Sequence, residues 1–468
     1  MSRTVTHLDS MSAPHVALLP SSGMGHLMPF LRLAAALLAK EVRVMLITAH
    51  PMVSEAENEA LSSFLSAFDK VTSERLDLLR IDPEQSMATD DPFYRHIDLI
   101  RCSSHLLSPL LSSASPPLSA IMTDMSLVSA VLPVTRALAI PNYVLFTSSA
   151  RMLTLFVSSH RIFNWKVMAE ETDEVQIPGQ EPMPIRWIPS SFLQDENDFL
   201  RNYLVENGRS MMESEGILIN TFEDFEHDTL KALNDGKVIS TLPQLIPIGP
   251  LPPLDHETGI GLAWLDDQLS QSVVYVSFGS RTAISRNQMR ELGEGLLSSG
   301  FRFLWVVKDK KVDRDDGEEL DMVVGRELMT RLRERGLVMK SWVAQNEILR
   351  HHAIGGFVTH CGWNSIVEAI WNGVPILAWP QHGDQKINSS LVLRSGIGIW
   401  EERWGWPITE PAVKAEKIAA RIKEMMCNEL LRSRARAMKE AARNAIAIDG
   451  SSTKGLMELI GLWKNEGT

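Results

Sequence analysis

The fold of this chain is decided by residues 342–385, which read WVAQNEILRHHAIGGFVTHCGWNSIVEAIWNGVPILAWPQHGDQ. The apolar run that ends near Val358 is typical of a buried strand, and the helical spacing after it continues past Glu368. Residues 359–364 form the predicted turn between them. A helix that follows a strand presents free backbone N–H groups and the positive end of its dipole to an anion. We therefore predict that a phosphate-bearing ligand binds at residues 362–365.

The same strand–turn–helix order recurs on both sides of this stretch. HVALLP (15–20) and VRVMLIT (42–48) are strand-like and enclose an apolar helical segment that ends near Ala39. Further strands are predicted at 118–124, 142–148, 216–221, 272–280 and 301–307. Strands that alternate with helices predict parallel sheets. The Pro- and Gly-rich run IPIGPLPPL (246–254) interrupts the pattern, which then restarts. The predicted fold class is therefore α/β, with two doubly wound domains that face each other.

Composition narrows the class of protein. The chain has 468 residues and a net charge of −12, which argues against nucleic acid or an anionic membrane surface as a partner. Its three cysteines, Cys102, Cys361 and Cys427, match no metal or redox spacing and indicate a reducing compartment. The N-terminal residues lack the apolar core of a signal peptide. The best candidate for a membrane span, 27–39, is short and contains Arg32. We expect a cytoplasmic protein.

The glycine-rich turn SSGMGHLM (21–28) nearly matches a dinucleotide-binding fingerprint. Met28 stands where the third glycine belongs, and the second strand ends in Thr-Ala-His (48–50) without the expected acidic residue. A nicotinamide site is therefore poorly supported, although it stays an alternative. The turn also places His26 at the mouth of a strand–helix junction, where a histidine can act as a general base. The alternative is a histidine that only caps the helix.

A carboxylate, Asp124, directly follows the strand-like run LSAIMT. At the end of a strand it can orient a histidine and stabilise its charged form. The alternative is an N-cap for the helix that follows, which is a common use of aspartate. Because the carboxyl ends of parallel strands meet at one edge of a sheet, we predict that Asp124 pairs with His26.

The helix after residue 362 offers further ligand-binding groups. Asn364 and Glu368 are four residues apart and share one helix face. We predict that the helix amides, His360, Asn364 and Ser365 hold a diphosphate, that Glu368 accepts hydrogen bonds from ribose hydroxyls, and that Trp342 stacks on a base. Ser365 and Glu368 also fit a capping box.

Three other patterns allow more than one interpretation. In SFGSR (277–281), the glycine and Ser280 can approach a phosphate, or they form a simple turn. Asp384 and Gln385 can face a ligand, or they merely begin a helix. The histidines and the cysteine at 351, 352, 360, 361 and 382 lack the spacing of metal ligands, and we predict no metal.

Residues 342–385 resemble the signature box of plant UDP-sugar-dependent glycosyltransferases of family 1. The resemblance extends to GHLMP near the N-terminus, Asp124, the SFGS loop and the overall length. It implies the GT-B fold, in which two Rossmann-like domains bind the acceptor in the N-terminal half and the donor in the C-terminal half. We therefore expect a disordered leader, an acceptor domain, a linker, a donor domain and a helix that crosses back to the acceptor domain: 1–13, 14–245, 246–256, 257–449 and 450–468.

The resemblance also implies roles for individual residues. Trp342 stacks on uracil, the main chain at Ala344 pairs with the edge of the base, and Glu368 binds the ribose. The implied UDP-binding residues are Ser280, Trp342, Ala344, Gln345, His360, Gly362, Asn364, Ser365 and Glu368. The implied sugar-binding residues are Thr147, Trp363, Asp384 and Gln385, and the family associates this last glutamine with glucose. His26 matches the catalytic base and Asp124 its partner.

A second resemblance narrows the branch. Asp91-Pro92-Phe93, followed by IRCSSHLL, is similar to a segment of the flavonoid C-glucosyltransferases, and so are WVxQ and WPQHGDQ. Ala344 replaces the proline that is usual in this box. The tripeptide alone is only a turn with proline at the first helical position. The resemblance implies that Phe93 lies near the acceptor.

The reaction implied is inverting transfer of glucose from UDP-glucose to a ring carbon of a flavonoid-type polyphenol, such as phloretin, a 2-hydroxyflavanone or a flavone. His26 removes a phenolic proton, and the ortho carbon of the phenolate attacks the anomeric carbon opposite UDP. Helix amides and His360 stabilise the leaving diphosphate. We expect no metal or other cofactor, and a monomer. The alternatives are O-glucosylation with the same donor, a nicotinamide oxidoreductase and a non-catalytic sugar-nucleotide binding protein.

Overall fold

A computed structural model describes most of the chain. The described residues are 13–80, 91–161, 173–195, 197–254, 262–308, 310, 318–340, 343–405 and 411–465. Trp342, nearly all of the predicted leader (1–13) and the last two residues of the predicted linker lie outside the described residues.

The strands are β1 (His15–Leu19), β2 (Arg43–His50), β3 (Thr72–Asp77), β4 (Ala120–Asp124), β5 (Asn142–Phe146), β6 (Glu174–Val175), β7 (Met183–Pro184), β8 (Gly216–Ile219), β9 (Leu245–Pro247), β10 (Val273–Ser277), β11 (Arg302–Val306), β12 (Gly336–Met339), β13 (Ile354–Thr359), β14 (Ile376–Ala378) and β15 (Gly398–Trp400).

The helices are α1 (Met24–Leu38), α2 (Glu55–Ala67), α3 (Pro92–Cys102), α4 (Leu107–Ser112), α5 (Val128–Ala137), α6 (Ala150–Ser158), α7 (Phe199–Met211), α8 (Glu223–Asn234), α9 (Leu262–Asp266), α10 (Arg286–Ser299), α11 (Leu320–Val323), α12 (Arg326–Arg335), α13 (Gln345–Arg350), α14 (Trp363–Asn372), α15 (Gln385–Arg394), α16 (Ala415–Cys427), α17 (Glu429–Ala445) and α18 (Ser451–Asn465).

The first domain is built on a seven-stranded sheet in the order β3-β2-β1-β4-β5-β8-β9, and its strands pair in parallel. The two central strands, β1 and β4, are buried along their whole length because they carry almost only apolar residues. The chain leaves them in opposite directions across the sheet, so a crevice opens between their carboxyl ends. His26 follows β1 and Asp124 ends β4, which places both at this crevice.

The second domain repeats the arrangement with a six-stranded parallel sheet in the order β12-β11-β10-β13-β14-β15. Its switch point lies between β10 and β13. Ser280 follows β10, and the turn into α14 follows β13. The prediction of an α/β fold with two doubly wound parallel sheets is confirmed.

Five strands of the two large sheets were not predicted: β12, β14 and β15 in the second sheet, and the edge strands β3 and β9 in the first. β3 reads TSERLD and buries only Leu76, so it lacks the apolar run by which strands were predicted. β9 extends into the first residues of the predicted linker, where Pro247 is tolerated because the strand lies at the sheet edge. The exact domain boundaries stay a prediction.

The last helix, α18, packs on the first domain. Leu456, Leu459, Ile460 and Trp463 are buried in the same apolar cluster as β1 and α1. The indole of Trp463 meets the ring of Tyr143 edge to face at 5.8 Å between centroids. The last described helix therefore packs on the domain that contains the first described strand. Among the helices in the described part of the chain, none combines the length and apolar character needed to cross a bilayer.

Candidate active site

One cavity of about 820 Å³ lies between the facing carboxyl edges of the two sheets. Most of the residues that the sequence singles out line it: His26, Phe93, Thr147, Ser280, Gln345, His360, Gly362, Trp363, Asn364, Ser365, Glu368, Asp384 and Gln385. Asp124 is completely buried next to His26. Ala344 is buried at the start of α13, where its carbonyl accepts a hydrogen bond from the backbone N–H of Ile348. The roles predicted for these residues stay predictions.

His26 and Asp124 form a hydrogen-bonded pair. His26 Nδ1 lies 2.8 Å from Asp124 Oδ2, and its side chain keeps 23% of its surface exposed. A carboxylate only accepts hydrogen bonds, so Nδ1 carries the proton and Nε2 is left as the basic nitrogen. The hydroxyl oxygen of Thr147 lies 3.2 Å from the same Nδ1. The histidine therefore has the orientation of a general base.

The other oxygen of Asp124 is held by two serines. Oδ1 accepts hydrogen bonds from the hydroxyl of Ser21 at 3.0 Å and from the hydroxyl and backbone N–H of Ser126 at 2.6 and 2.9 Å. The N-cap position of α5 is Leu127, without a side-chain cap. Asp124 therefore ties down the loop after β4 without capping the helix, and its second oxygen remains for His26.

The pair shifts the pKa of both groups. Burial lowers the pKa of His26, but the charge and hydrogen bond of Asp124 outweigh it, so the pKa of His26 ends above its ordinary value. Burial also raises the pKa of Asp124, yet His26 and Ser126 outweigh burial and hold that pKa below its ordinary value. Asp124 is ionised at neutral pH, as an orienting carboxylate must be.

The loop before His26 is fixed by groups that sequence reasoning missed. Gly23 has a φ of 96°, which favours glycine, and its N–H donates to the buried carboxylate of Glu57 at 2.6 Å. The hydroxyl of Ser22 donates to His96 Nδ1, because His96 Nε2 donates to the carbonyl of Pro51 at 2.7 Å. The sequence patterns described above do not reveal these partners.

His360 lies between two glycines at the start of α14. A Cβ at Gly279 or at Gly362 would come within 2.6 Å of the imidazole ring. Burial lowers the pKa of His360 to about 3, so the ring is neutral and can donate one hydrogen bond without carrying charge. Attraction for a diphosphate at this point therefore comes from the free N–H groups and the dipole of α14.

Gly279→Ala is expected to raise the KM for the sugar-nucleotide donor that the family resemblance implies about tenfold or more, since its Cβ would displace His360. Gly279 has a φ of +78°, so the substitution also strains the backbone. Gly300→Ala is the matched control, because Gly300 has a φ of +79° and open space around its Cβ position. Steady-state kinetics of both variants separate the effect of the contact with His360 from the effect of backbone strain, because only Gly279→Ala has both. Equal KM values in the two variants would contradict the role assigned to this contact.

Glu368 is engaged on both oxygens. Oε1 accepts from Arg32 Nη2, and Oε2 accepts from Gln345 Nε2 at 2.7 Å, which also reaches the Ser365 hydroxyl at 3.1 Å. The N-cap of α14 is Gly362, without a side-chain cap bond, so the capping-box alternative is wrong. Arg32 comes from the first domain. A charge inside an apolar helix was its only sequence signal.

Two predicted ligand residues also join the domains. Asn364 Nδ2 lies 3.4 Å from the carbonyl of Met24 and 3.3 Å from that of Gly25. The indole N–H of Trp363 donates to the carbonyl of Asn220 at 2.9 Å, and its ring stacks on Phe225. These side chains therefore use hydrogen-bond donors for contacts between the two domains. Their sequence motif does not reveal these contacts.

Asp384 and Gln385, the last two residues of the stretch 342–385, also have hydrogen-bond partners within the protein. Asp384 accepts from the hydroxyl of Ser148 and from Asn388 Nδ2 at 2.8 Å, and burial raises the pKa of its carboxyl. The side-chain oxygen of Gln385 accepts the backbone N–H groups of Gln381 and His382 at 2.8 and 3.0 Å. Asp384 occupies the N-cap position of α15 but makes no side-chain cap bond.

Two aromatic side chains and one arginine line the cavity together: Phe93, Tyr94 and Arg281. The guanidinium of Arg281 lies 4.2 Å above the ring of Phe93 and also faces Tyr94. Its Nη2 donates to both oxygens of Asp91, at 3.1 and 3.2 Å. Asp91 also caps α3 through the backbone N–H of Phe93. The Asp-Pro-Phe segment therefore binds a residue of the opposite domain.

No group of three or more His, Cys, Asp or Glu side chains in the described part of the chain converges as a metal site requires. His351, one of the residues weighed as a ligand, instead pairs with Asp266 at 3.0 Å. The predicted absence of a metal stays a prediction.

Two Rossmann-like sheets that face each other across such a cleft define the GT-B class of glycosyltransferases. The family model "UDP-glucoronosyl and UDP-glucosyl transferase" matches residues 263–402. UDP-glycosyltransferase 708G2 of Citrus unshiu is 50% identical to this chain over 464 residues, 97% of each chain. UDP-glycosyltransferase CGT of Oryza sativa subsp. japonica is 43% identical over 95% of each chain. The crystal structure of LpCGTa in complex with UDP matches with a TM-score of 0.85 and 41% identity, over 96% of this chain and 99% of that one.

The chain belongs to the plant family 1 UDP-glycosyltransferases and stands near their C-glucosyltransferase branch. It is an enzyme that uses a UDP-sugar donor and a small-molecule acceptor. This membership replaces the alternative of a nicotinamide oxidoreductase, which rested on an incomplete glycine motif.

Proposed function

We propose that this enzyme transfers glucose from UDP-glucose to an aromatic ring carbon of a flavonoid-type polyphenol. The observation that carries the proposal is that His26, held by Asp124, opens into the same cavity as the N-terminus of α14. A base and an anion-binding helix in one cleft are what transfer from a sugar nucleotide to a weakly acidic acceptor requires.

The acceptor half of the cavity is suited to a flat aromatic molecule. Nine apolar or aromatic side chains of the first domain line it, beside several serines, two glutamates and an arginine: Phe93, Tyr94, Met125, Met152, Phe156, Phe192, Leu200, Tyr203 and Leu204. Methionine side chains are flexible and adapt to the shape of an aromatic ligand. Phenylalanine and tyrosine rings can stack on the rings of such a ligand. An acceptor such as phloretin, a 2-hydroxyflavanone or a flavone has the matching shape and a phenol for His26.

The chain's own groups support the following chemistry. His26 Nε2 removes the phenolic proton, and the negative charge spreads to the ortho carbon. That carbon bonds to the anomeric carbon as the bond to the UDP oxygen breaks on the opposite face, which inverts the centre. The ring proton then passes through water to the ketone oxygen, which restores the aromatic phenol, and His26 releases the proton that it took to the solvent. The amides of α14 and the neutral His360 stabilise the departing diphosphate.

Arg281 and Asp91 form an ion pair at the wall of the cavity. The guanidinium lies on the Phe93 ring and lines the same cavity as His26. Because Asp91 balances the charge of Arg281, the pair supplies no net positive charge to a phenolate. Because Asp91 is paired with Arg281, it is not positioned as a second base. His26 is therefore the base that we propose.

Similarity to named C-glycosyltransferases supports a ring carbon, and not a hydroxyl oxygen, as the acceptor atom. The relative of Oryza sativa and the solved structure named above carry the designation CGT, and the Asp-Pro-Phe segment points to the same branch. Glucose as the sugar is supported by Asp384 and Gln385, which line the cavity at the end of the box. Oxygen attack would use the same base and donor, so only the product distinguishes the two reactions.

Incubation with UDP-glucose and phloretin is expected to give a product that keeps its sugar after heating in acid, because a carbon–carbon bond does not hydrolyse. Mass spectrometry should show fragmentation across the sugar ring without loss of the whole hexose. A known phenolic O-glucoside, heated in parallel, is the control. Complete loss of the hexose would identify O-glucosylation and overturn the carbon assignment.

We also propose that the enzyme works as a monomer in the cytoplasm and without a metal. Its three cysteines are free, as suits a reducing compartment. The reaction should proceed at an unchanged rate in excess EDTA, which the product assay can include directly.

A further inference from the structure

A buried ion pair joins the two domains inside the cleft. Arg32 lies on α1 in the first domain and donates from Nη2 to Glu368 on α14 in the second. The two side chains are only 2% and 8% exposed, and both line the cavity. Burying two charged groups costs desolvation free energy. A buried ion pair that lines the cavity beside α14 is therefore a candidate for a role in ligand binding.

The pairing of Arg32 is incomplete. In the described part of the chain, its Nε and Nη1 are buried and find no hydrogen-bond partner. A guanidinium carries five N–H donors in a fixed fork, and buried donors without a partner destabilise a fold. Since native structures leave few such groups unpaired, an oxygen-rich ligand in the cavity is the natural partner.

The geometry indicates which part of the ligand lies there. Asn364 and Glu368 are four residues apart on α14, so they share one face. Asn364 contacts the carbonyls of Met24 and Gly25, while Glu368 contacts Arg32, so α1 runs along this face of α14. The helix N-terminus suits the diphosphate, and the position one turn further in suits the ribose.

We propose that Arg32, a residue of the acceptor domain, binds the ribose of the UDP-sugar together with Glu368. A rotation of the guanidinium towards the cavity brings its buried, unpaired nitrogens to the ribose oxygens, and the remaining lone pairs of the carboxylate accept from ribose hydroxyls. Both domains then hold the nucleotide. Because α1 also carries His26, at a rise of about 9 Å from Arg32, donor binding fixes the helix that bears the base. The inference depends on the UDP-sugar donor and is independent of carbon or oxygen transfer.

Arg32→Lys is the variant that tests this contact. Lysine keeps a cation beside Glu368 but lacks the two unpaired guanidinium nitrogens. We expect the Kd for UDP, measured by calorimetry, to rise about tenfold, and the KM for UDP-glucose to rise with it. The KM for the acceptor should stay unchanged. Uridine, tested as an inhibitor against UDP-glucose, should weaken by the same factor, because it keeps the ribose and lacks the phosphates.

Arg186→Met is the matched control. Arg186 also pairs across the domains, with Glu402 at 2.6 Å, but this pair is exposed and does not line the cavity. Its loss should leave the affinity for UDP unchanged. Three results would overturn the proposal: an unchanged UDP affinity in folded Arg32→Lys, an equal loss in both variants, or a loss for UDP that uridine does not share. The last would assign Arg32 to the phosphates.

Discussion

Replacing His26 with alanine is expected to lower kcat by about a thousandfold while the Kd for UDP stays unchanged. The imidazole is the group that removes the acceptor proton, and its loss leaves only water for that task. The predicted UDP-binding residues lie on the second domain, and the one contact proposed from the first domain is made by Arg32, so donor binding does not need the imidazole of His26. Turnover is measured by product formation with UDP-glucose and phloretin, and UDP binding by calorimetry.

His160→Ala is the matched control for this substitution. His160 is also half-buried in the first domain, where its Nδ1 contacts the carbonyl of Val157, but it does not line the cavity. Turnover should be retained in this variant. If His26→Ala turned over at the normal rate, another group would be the base. If the wild-type protein bound UDP but gave no product with any acceptor, the alternative of a non-catalytic sugar-nucleotide binding protein would return.

Asp124→Asn is expected to lower kcat/KM by at least about a hundredfold and to move the acid limb of its pH profile downwards. His26 acts as a base only when neutral, so the rate falls as the pH drops through its pKa. In the native enzyme that pKa is raised above 6.5 by Asp124. Without the carboxylate, burial is the largest remaining influence and lowers the pKa. The profile of kcat/KM between about pH 5 and 9 measures the limb directly.

Asp98→Asn serves as the control for the loss of a buried carboxylate. Asp98 is 1% exposed on α3 and pairs with Arg101 at 2.7 Å, away from the cavity lining. Its substitution should lower thermal stability without moving the acid limb. An acid limb that stays in place, or moves upwards, in Asp124→Asn would show that Asp124 does not set the pKa of His26.

Sequence reasoning recovered the elements that carry strong periodicity. The spacing of apolar residues gives the central strands of both sheets and the turn into α14, because buried parallel strands consist of continuous apolar runs. It does not give β3, whose exposed edge position leaves only Leu76 buried. The convergence of His26 and Asp124 followed from a general property of parallel sheets, namely that their strand ends meet at one edge.

Contacts between distant segments were beyond that reasoning. Arg32 was visible as a charge in an apolar helix, but nothing local indicates a partner in the other half of the chain. The same holds for the bond between Arg281 and Asp91. Trp363 and Gln385 match a motif by position, yet their side-chain hydrogen bonds go to Asn220 and to a neighbouring turn. A motif predicts where a residue stands and leaves open which of its atoms remain available.

The last helix has a mechanical consequence. Because α18 returns to the first domain, the polypeptide passes between the two halves at two separate places, once after β9 and once between α17 and α18. Two bodies joined at one point can swivel freely, whereas two bodies joined at two points rotate mainly about the line through both. A rotation of one domain against the other that keeps both passages intact is therefore confined mainly to the line through them, and His26 lies on the domain to which the last described helix returns.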